Sequence, residues 1–332
     1  MRCAAAIVAW NGQDMLGPCL ASLLEQSEPP AAAVVLDNAS VDSTSAVARR
    51  FIEPARARGI QLSVIRPPRN LGFTLGANAA MGALLKGQPA PDVVLLLNQD
   101  VCVAPEWCAQ IQTAFVSQPR AGIVGSLLLY PDGATVQHAG GYLERPRLLG
   151  RHFDHHAPRP VGPQTPRQVE FVTGAAMAIR ADALRSVGLF AEIFSPGYYE
   201  DVDLCDRIRA AEWSVWYWPD AVGTHAESTS FSRRQDRFRL SHRNRLVYAI
   251  RDLGDRRVRT EFIEAEAAYL RAATDLDELV ALAAAYRWFV LGLNDALAAR
   301  RPGRQNAVLH GQLADAFADL GRSAMASLLV GC

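Results

Sequence analysis

Residues 93–100 read Val-Val-Leu-Leu-Leu-Asn-Gln-Asp, a short apolar run that ends in three polar side chains. A run of this length, rich in branched side chains and closed by polar residues, is typical of a strand that is buried on both faces. Runs with the same texture stand at four other places in the first 130 residues: 4–10, 32–36, 61–65 and 122–130. Together the five runs predict the strands of one buried sheet.

Helical patterns separate these predicted strands. Residues 15–26 place leucines at helical spacing, and further helices are predicted over 42–58, 74–86 and 105–117. A chain that alternates strand and helix at this length forms right-handed crossovers, which lay successive strands parallel to one another. The sequence therefore predicts an α/β fold with a mostly parallel sheet flanked by helices.

The regular alternation stops at about residue 131. Residues 131–167 are rich in proline and glycine and hold four of the seven histidines, which predicts a long irregular loop. Strand and helix patterns then resume, and from residue 231 the chain is helical in pattern and rich in alanine and arginine. We predict one domain over residues 1–235, with halves 1–130 and 131–235, followed by a helical extension over 236–332.

Composition restricts the class of protein. Half of the 332 residues are apolar and a fifth are charged, which allows a sizeable core and excludes a disordered or disulfide-stapled chain. The 34 basic and 34 acidic residues cancel, so we expect no nucleic acid partner. The six cysteines lack zinc spacing, and we find no signal-peptide or membrane-span pattern, so we expect a reducing, cytoplasmic location.

Polar side chains follow three of the predicted strands. In an open parallel sheet, ligands bind outside the carboxyl ends of the strands, so these side chains are the first candidates for a site. They are Asn11, then Asp37 and Asn38, then Asn98 and Asp100. Asp37 has an alternative role as a cap of the following helix. Three polar ends on one sheet edge nevertheless predict a ligand site.

Three carboxylates crowd the predicted start of a helix, at Glu200, Asp201 and Asp203. The helix N-terminus favours ionised carboxylates, whereas their mutual repulsion raises the pKa of at least one of them. Such residues are candidate acids or bases, although carboxylates also cap helices. Asp203 lies four residues before Arg207 and predicts a supporting ion pair. Helix geometry alone leaves Glu200 and Asp201 equivalent as the base.

Several segments in a fixed order make the chain resemble the family 2 glycosyltransferases, in their rhamnosyltransferase-like branch. The matching segments are Ile7-Val8-Ala9-Trp10-Asn11, Asp37-Asn38-Ala39-Ser40-Val41-Asp42-Ser43, Asn70-Leu71-Gly72-Phe73 with Asn78, Leu95-Leu96-Leu97-Asn98-Gln99-Asp100, Gly174-Ala175-Ala176-Met177, Tyr199-Glu200-Asp201-Val202-Asp203-Leu204 and His225. They cover roughly residues 3–250. The resemblance implies a Rossmann-like GT-A fold, in which 1–130 binds the nucleotide-sugar and 131–235 carries the acceptor and catalytic residues.

The resemblance also implies roles for single residues. The donor nucleotide-sugar is expected beside eight of them: Asn11, Asp37, Asn38, Asn70, Gly72, Phe73, Asn78 and Asn98. The acceptor is expected beside Gly174, Ala175 and Tyr199. Asp201, the second residue of the Glu-Asp pair, is implied as the base that deprotonates the acceptor hydroxyl, with Glu200 beside it. Attack by that hydroxyl would invert the anomeric centre.

Members of this family hold a divalent cation with a D-x-D sequence, of which this chain keeps only the second carboxylate, in Asn98-Gln99-Asp100. We expect Asp100 to bind Mg²⁺ or Mn²⁺ together with diphosphate oxygens and water. His225 stands where the family often places a metal-side histidine, and an imidazole ligand favours Mn²⁺. The missing carboxylate leaves a catalytically silent sugar-nucleotide-binding relative as an alternative. A sugar-1-phosphate nucleotidyltransferase is disfavoured because residues 11–14 lack a glycine-rich basic loop.

The segment 231–260 has ten arginines against three aspartates, a local net charge of +7. Such a charge attracts phosphate-bearing acceptors or an anionic membrane, with Arg243 and Asn244 as candidate contacts, unless acids elsewhere balance it. The branch implies a dTDP- or UDP-sugar donor, a deoxyhexose such as rhamnose, and a glycan, lipid-linked or small-molecule acceptor in polysaccharide biosynthesis. Peripheral association with the inner face of the membrane and homo-oligomerisation are left open.

Overall fold

A computed structural model describes residues 1–227, 234–253, 255–298 and 310–330. The chain divides into two units. The N-terminal unit consists of Met1–Tyr142, Gly150–Pro196 and Glu200–Ser228. The C-terminal unit consists of Leu143–Leu149, Gly197–Tyr199 and Thr229–Cys332. The functional division predicted at residues 130 and 235 stays a prediction.

The strands within the described residues form one ten-stranded sheet and one separate hairpin. In chain order they are β1 (Cys3–Ala9), β2 (Ala32–Asp37), β3 (Gln61–Ile65), β4 (Val93–Asn98), β5 (Val101–Val103), β6 (Ala121–Leu129), β7 (Val136–His138), β8 (Gly141–Glu144), β9 (Leu149–His152), β10 (Arg167–Gln168), β11 (Ala176–Arg180) and β12 (Ser214–His225). The sheet order is β10-β12-β6-β11-β4-β1-β2-β3, with β5 on β12 and β7 on β6, while β8 and β9 form the hairpin.

The first half of the sheet follows the sequence prediction. The four strands β3, β2, β1 and β4 are parallel. Strand β1 is buried along its length and β4 is buried from Val93 to Leu97, because apolar side chains fill both faces. Beyond β4 the sheet is mixed, because β11 lies antiparallel between β4 and β6, with Ala176 opposite Leu97. The chain returns from its long excursion at the carboxyl edge of β4, so β11 must run away from that edge. The α/β class is confirmed.

The helices of the N-terminal unit are α1 (Leu16–Leu24), α2 (Thr44–Arg50), α3 (Ile52–Ala57), α4 (Gly72–Lys86), α5 (Trp107–Ser117), α6 (Ala181–Val187) and α7 (Glu200–Ala210), with a 3₁₀ turn at Glu192–Phe194. In α1 the helical spacing buries Leu16, Leu20 and Leu23 completely. The helix predicted over 42–58 is instead two helices. Pro54 cannot donate to the carbonyl of Arg50, so one continuous helix cannot pass this point.

The excursion after residue 131 is less irregular than predicted. It contains the short strands β7, β8, β9 and β10, and β7 extends the sheet by pairing with β6, His138 lying opposite Leu128. Strands of two to four residues are too short to show a period in the sequence. The prediction of a long irregular loop was therefore wrong where these short strands form.

The C-terminal unit is mainly helical from residue 234 onwards, as predicted for the extension. Its helices are α8 (Arg234–Asp252), α9 (Asp255–Arg257), α10 (Ile263–Ala272), α11 (Leu276–Leu291), α12 (Leu293–Ala298) and α13 (His310–Val330), with a π-helical turn at Val258–Phe262. Helix α11 packs against both α8 and α13. None of the helices in the described part of the chain has the length and apolarity needed to span a bilayer.

A buried ion pair joins α8 to α10 inside this unit. Arg245 and Glu266 are both fully buried, and the guanidinium of Arg245 donates to the two carboxylate oxygens at 2.9 and 2.7 Å. Arg147 donates to the same carboxylate at 2.6 Å, and so does the hydroxyl of Tyr286. Burial alone raises the pKa of Glu266, but Arg245 and then Arg147 outweigh it and lower that pKa to about 2. The carboxylate is therefore charged.

Candidate active site

The polar ends of β1, β2 and β4 lie at one edge of the sheet. Ala9 pairs with Asp37, and Val8 pairs with Asn98, so the three strands end in register. The side chain of Gln99 ties two of the ends together: its Oε1 accepts the N–H of Trp10 at 2.8 Å, and its Nε2 donates to the carbonyl of Trp10 at 3.1 Å. Gln99 had no predicted role.

Asp37 is fully buried at this edge and is held by two groups. Its Oδ1 accepts the N–H of Ser40 at 3.0 Å, and its Oδ2 pairs with Arg66, which also donates to the Ser40 carbonyl at 2.7 Å. Arg66 was not among the predicted site residues. It directly follows β3, so a search for polar residues at the carboxyl ends of all the parallel strands would have identified it. Asn11 is exposed, and its Oδ1 accepts the N–H of Val41 at 2.9 Å.

Asn38 fixes the loop that precedes α4. Its Oδ1 accepts the N–H of Leu71 at 2.8 Å, and its Nδ2 donates to the carbonyl of Gly72 at 3.0 Å. Asn70 closes the same loop from within, because its Oδ1 accepts the N–H of Gly72 at 2.7 Å. The loop that the resemblance assigns to the donor is thus anchored to the end of β2.

Gly72 is expected to tolerate no side chain. Its φ is +76°, and an added Cβ would lie 2.6 to 2.9 Å from atoms of Pro196, two of which belong to the backbone. We expect Gly72→Ala to lower the free energy of unfolding by more than the roughly 1–3 kcal/mol typical of left-handed strain alone. Gly59→Ala is the matched control, because Gly59 has a φ of +75° and nothing within 4 Å of its Cβ position. Urea unfolding that gave equal losses for both variants would contradict this expectation.

Asn78 supports the same region from inside α4. Its Nδ2 donates to the carbonyl of Phe190, and its Oδ1 accepts the N–H of Phe190, both at 2.9 Å. The rings of Phe190 and Phe73 lie 6.2 Å apart. Both ends of the Asn78 amide are therefore used by backbone, which gives this residue a structural role behind Phe73.

Asp201 is anchored at both oxygens. Its Oδ2 accepts the N–H of Gly174 at 3.0 Å, and its Oδ1 accepts the N–H of Val202 at 2.8 Å. Gly174 lies between Phe73 and Asp201, since an added Cβ would be 3.4 Å from the ring and 3.8 Å from the Cβ of Asp201. The structure thus brings the predicted base, the acceptor-side segment and the donor loop together.

Asn98 is connected to the same place by its backbone. Its N–H donates to the carbonyl of Ala175 at 2.9 Å. Its side-chain Oδ1 is buried and has no hydrogen-bond partner within the described ranges. A buried polar atom of this kind is costly unless water or a ligand satisfies it, which is consistent with a ligand-binding role for Asn98.

Glu200 and Asp201 differ in their electrostatic surroundings. Burial and then the charge of Asp201 raise the pKa of Glu200 well above its ordinary value. Partial burial also raises the pKa of Asp201, against the opposing effect of the N–H groups of Gly174 and Val202. The repulsion predicted from the sequence is confirmed in direction. The pKa of Glu200 is therefore raised more than that of Asp201, and Glu200 takes up a proton more readily.

The neighbouring Asp203 has the supporting role that its spacing predicted. Its Oδ2 accepts from Nε of Arg207 at 2.7 Å, one turn later in α7. Arg207 in turn donates to the carbonyls of Val187 and Leu189, each at 2.7 Å. The pair therefore fixes the start of the helix against the preceding segment.

Asp100 and His225 form the candidate cation site. The N–H of Ala226 donates to the Asp100 carbonyl at 3.1 Å, and Nε2 of His225 lies 3.3 Å from Oδ1 of Asp100. This spacing fits two ligands of one cation, because bonds of about 2.1 Å at right angles separate ligand atoms by about 3 Å. Nowhere in the described ranges do three or more His, Cys, Asp or Glu side chains form a metal-binding group. The remaining ligands would have to be diphosphate oxygens and water.

The C-terminal unit contains three residues that were predicted to face the acceptor or an anionic surface, namely Tyr199, Arg243 and Asn244. Asn244 is fully buried, so its assignment to a surface was wrong: its amide donates to the carbonyls of Gly197 and Tyr198 at 2.9 and 2.7 Å. Tyr199 is 7% exposed, and its hydroxyl donates to the carbonyl of Leu148 at 2.7 Å, which leaves no free hydroxyl proton for an acceptor sugar.

The basic segment 231–260 is also less exposed than predicted. Arg245 and Arg251 are buried, and the guanidinium of Arg243 lies over the ring of Trp288 at 4.8 Å, where burial lowers its pKa to about 10. A contact of Arg243 with phosphate stays a prediction. Residues 231–233 and 254 of the segment lie outside the described residues.

The fold and the site together define a class. The parallel half of the mixed sheet has a polar carboxyl edge, and carboxylates stand at the start of helix α7. A family model described as "Glycosyltransferase like family 2" matches residues 2–249. The chain belongs to glycosyltransferase family 2.

Two curated proteins show the relationship in sequence. Over 234 residues, 64% of the chain, it is 30% identical to N-acetylglucosaminyl-diphospho-decaprenol L-rhamnosyltransferase of Mycobacterium tuberculosis, and the match covers 72% of that protein. It is also 30% identical over 202 residues, 59% of the chain, to the uncharacterized protein y4gI of Sinorhizobium fredii. The match spans only 21% of that longer protein.

A solved structure shows the relationship in three dimensions. The mannosyltransferase PcManGT from Pyrobaculum calidifontis, in complex with GDP-Man and Mn²⁺, aligns with a TM-score of 0.54 at 18% identity. The alignment covers 99% of this chain and 87% of PcManGT. The predicted GT-A fold is confirmed by this likeness.

Proposed function

We propose that this protein is an inverting glycosyltransferase that moves a sugar from a nucleoside-diphosphate donor to a hydroxyl group, with the help of a divalent cation. The observation that carries the proposal is the setting of Asp201. It is half-buried, its two oxygens are fixed by the N–H groups of Gly174 and Val202, and burial together with the charge of Asp201 raises the pKa of the neighbouring Glu200 well above its ordinary value. These are the properties of a positioned general base.

In this mechanism Asp201 accepts the proton of the acceptor hydroxyl while the oxygen attacks the anomeric carbon. The diphosphate leaves from the opposite side, so the configuration inverts and no covalent intermediate is needed. Glu200 takes up a proton more readily than Asp201, because its pKa is raised more, so Asp201 is the better candidate for the base. Asp100 and His225 would hold the cation, which supplies positive charge to the departing diphosphate when it is bound. Oδ1 of Asn98, which is buried and has no hydrogen-bond partner among the described residues, would accept a hydrogen bond from the donor.

The relatives support a finer proposal for the substrates. The Mycobacterium tuberculosis relative is named for L-rhamnose transfer to a diphospho-decaprenol acceptor, which supports a deoxyhexose donor and a lipid-linked acceptor for this chain. The Mn²⁺ and GDP-Man bound to PcManGT support a cation and a nucleoside-diphosphate donor. We place the activity in polysaccharide biosynthesis at the inner face of a membrane, where such an acceptor is reached from the cytoplasm.

A thermal-shift panel of UDP-, dTDP- and GDP-sugars, with and without Mg²⁺ or Mn²⁺, tests the donor class. We expect stabilisation by one nucleotide class and a larger shift with metal, because a ligand that binds the native state raises the melting temperature. Donor hydrolysis without acceptor distinguishes an enzyme from a catalytically silent relative, which would shift its melting temperature but release no sugar. No shift with any donor would refute the proposal.

Asp100→Ala is expected to weaken metal-dependent donor binding by at least about tenfold, the lower end of the effects seen around metal sites. Donor binding measured in EDTA should change little, because the carboxylate acts through the cation. Asp220→Ala is the matched control, since Asp220 is exposed on β12, five residues before His225. Titration calorimetry with and without Mn²⁺ measures both affinities. Equal affinities of Asp100→Ala and Asp220→Ala with metal would remove Asp100 from the site.

A further inference from the structure

Gln137 lies in β7 and is buried against His225. Its side-chain Oε1 is 2.7 Å from the ring Nδ1 of His225, and its Nε2 donates to the backbone carbonyl of the same histidine at 3.4 Å. Gln137 thus forms hydrogen bonds with both the ring and the backbone of His225. Nothing in the motif order of the sequence singles out this position.

The two contacts together decide which nitrogen of His225 carries the proton. A backbone carbonyl oxygen can only accept, so the NH₂ end of the Gln137 amide must face it. The amide oxygen is then left facing Nδ1, and an oxygen at 2.7 Å requires Nδ1 to be the donor. A neutral imidazole has one N–H, so Nε2 keeps its lone pair.

That lone pair is on the side of Asp100. Nε2 of His225 lies 3.3 Å from Oδ1 of Asp100, so a nitrogen lone pair and a carboxylate oxygen share one region. Two acceptors held this close are stabilised by a shared cation. Histidine ligands generally donate their second ring N–H to a fixed acceptor, and loss of that acceptor typically lowers metal affinity about 10–100-fold.

We propose that Gln137 is a positioning residue that fixes His225 as the Nδ1–H tautomer and so presents Nε2, with Asp100, to the divalent cation. The proposal rests on the proposed function insofar as it requires a cation at this place. Gln137 lies in the proline- and glycine-rich segment 131–167 and is 88 residues from the histidine that it orients.

Two variants of nearly equal volume separate the acceptor from simple packing. Gln137→Met removes the acceptor oxygen, whereas Gln137→Glu keeps an oxygen that can accept from Nδ1. With UDP present, we expect Gln137→Met to weaken Mn²⁺ binding about 10–100-fold and Gln137→Glu to restore affinity to within about tenfold of the wild type. Free Mn²⁺ is counted by electron paramagnetic resonance, and metal-free UDP affinity serves as the control for an intact nucleotide site.

A second measurement needs neither metal nor activity. Long-range ¹H–¹⁵N spectra are recorded for the metal-free wild type at pH 8. The signals of His225 are those that disappear in His225→Ala. We expect them to show the Nδ1–H tautomer. An Nε2–H tautomer, or wild-type Mn²⁺ affinity in Gln137→Met, would overturn the role of Gln137. Failure of the wild type to bind Mn²⁺ at all would instead refute the metal part of the proposed function, and the role of Gln137 would fall with it.

Discussion

Asp201→Asn is expected to lower turnover by about 10²–10⁴-fold, the usual contribution of a general base. The amide cannot take the proton of the acceptor hydroxyl, but its oxygen can still accept the N–H of Gly174, so the local structure should persist. Donor affinity should therefore stay within about threefold in calorimetry, because the base acts on the acceptor. Steady-state rates at saturating donor measure the loss.

Asp206→Asn is the matched control, because Asp206 lies on the same helix and pairs with Arg209 at 2.9 Å. It should keep turnover near that of the wild type. The comparison with Glu200→Gln then identifies the base within the carboxylate pair. Near-normal turnover in Asp201→Asn together with a large loss in Glu200→Gln would transfer the role of base to Glu200.

Glu266→Ala is expected to destabilise the C-terminal unit by about 3–5 kcal/mol, the cost of removing one partner from a buried ion pair. The variant would leave Arg245 fully buried without a counter-charge and would deprive Arg147 and the Tyr286 hydroxyl of their shared acceptor. Urea unfolding followed by circular dichroism measures the loss. Glu264→Ala, an exposed residue on the same helix, is the matched control and should change stability little.

The pH dependence of this pair has a definite sign. The pKa of Glu266 falls from its ordinary 4.5 to about 2 in the folded protein, so its stabilising effect is complete above pH 4.5. That effect is lost as the pH falls from 4.5 towards 2 and the carboxylate takes up a proton. The stability gap between wild type and Glu266→Ala should narrow over this window. A gap that stayed constant, or a loss equal to that of Glu264→Ala, would contradict the buried pair.

The strand ends could be predicted because their signal is local. An apolar run followed by Asn11, Asp37 or Asn98 already indicates a strand that delivers a polar group to the sheet edge. The crowding of carboxylates at Glu200 and Asp201 is equally local, so the shift in pKa could be expected from the sequence. Those parts of the fold and the site depend on neighbours within a few residues.

The contacts that fix the site could not be predicted because they join distant residues. Gln99 binds the backbone of Trp10 across 89 residues, and no periodicity in the chain records such a pairing. The charge pattern around Asn244 indicated a basic surface, but packing of α8 against α11 buries one face of that helix. The sequence shows how many charged residues a helix contains, but it does not show which of them face solvent.

The C-terminal unit is assembled from three stretches of chain that are far apart in sequence. A gene fragment that stopped near residue 228 would still encode the Arg147 hairpin and the turn at Gly197–Tyr199, but it would omit Asn244, Arg245 and Glu266, which hold them. Truncation or recombination at that point would leave these two segments without the residues that they contact. The C-terminal helices therefore cannot be exchanged for those of another protein on their own. The two earlier segments that they contact would have to be exchanged with them.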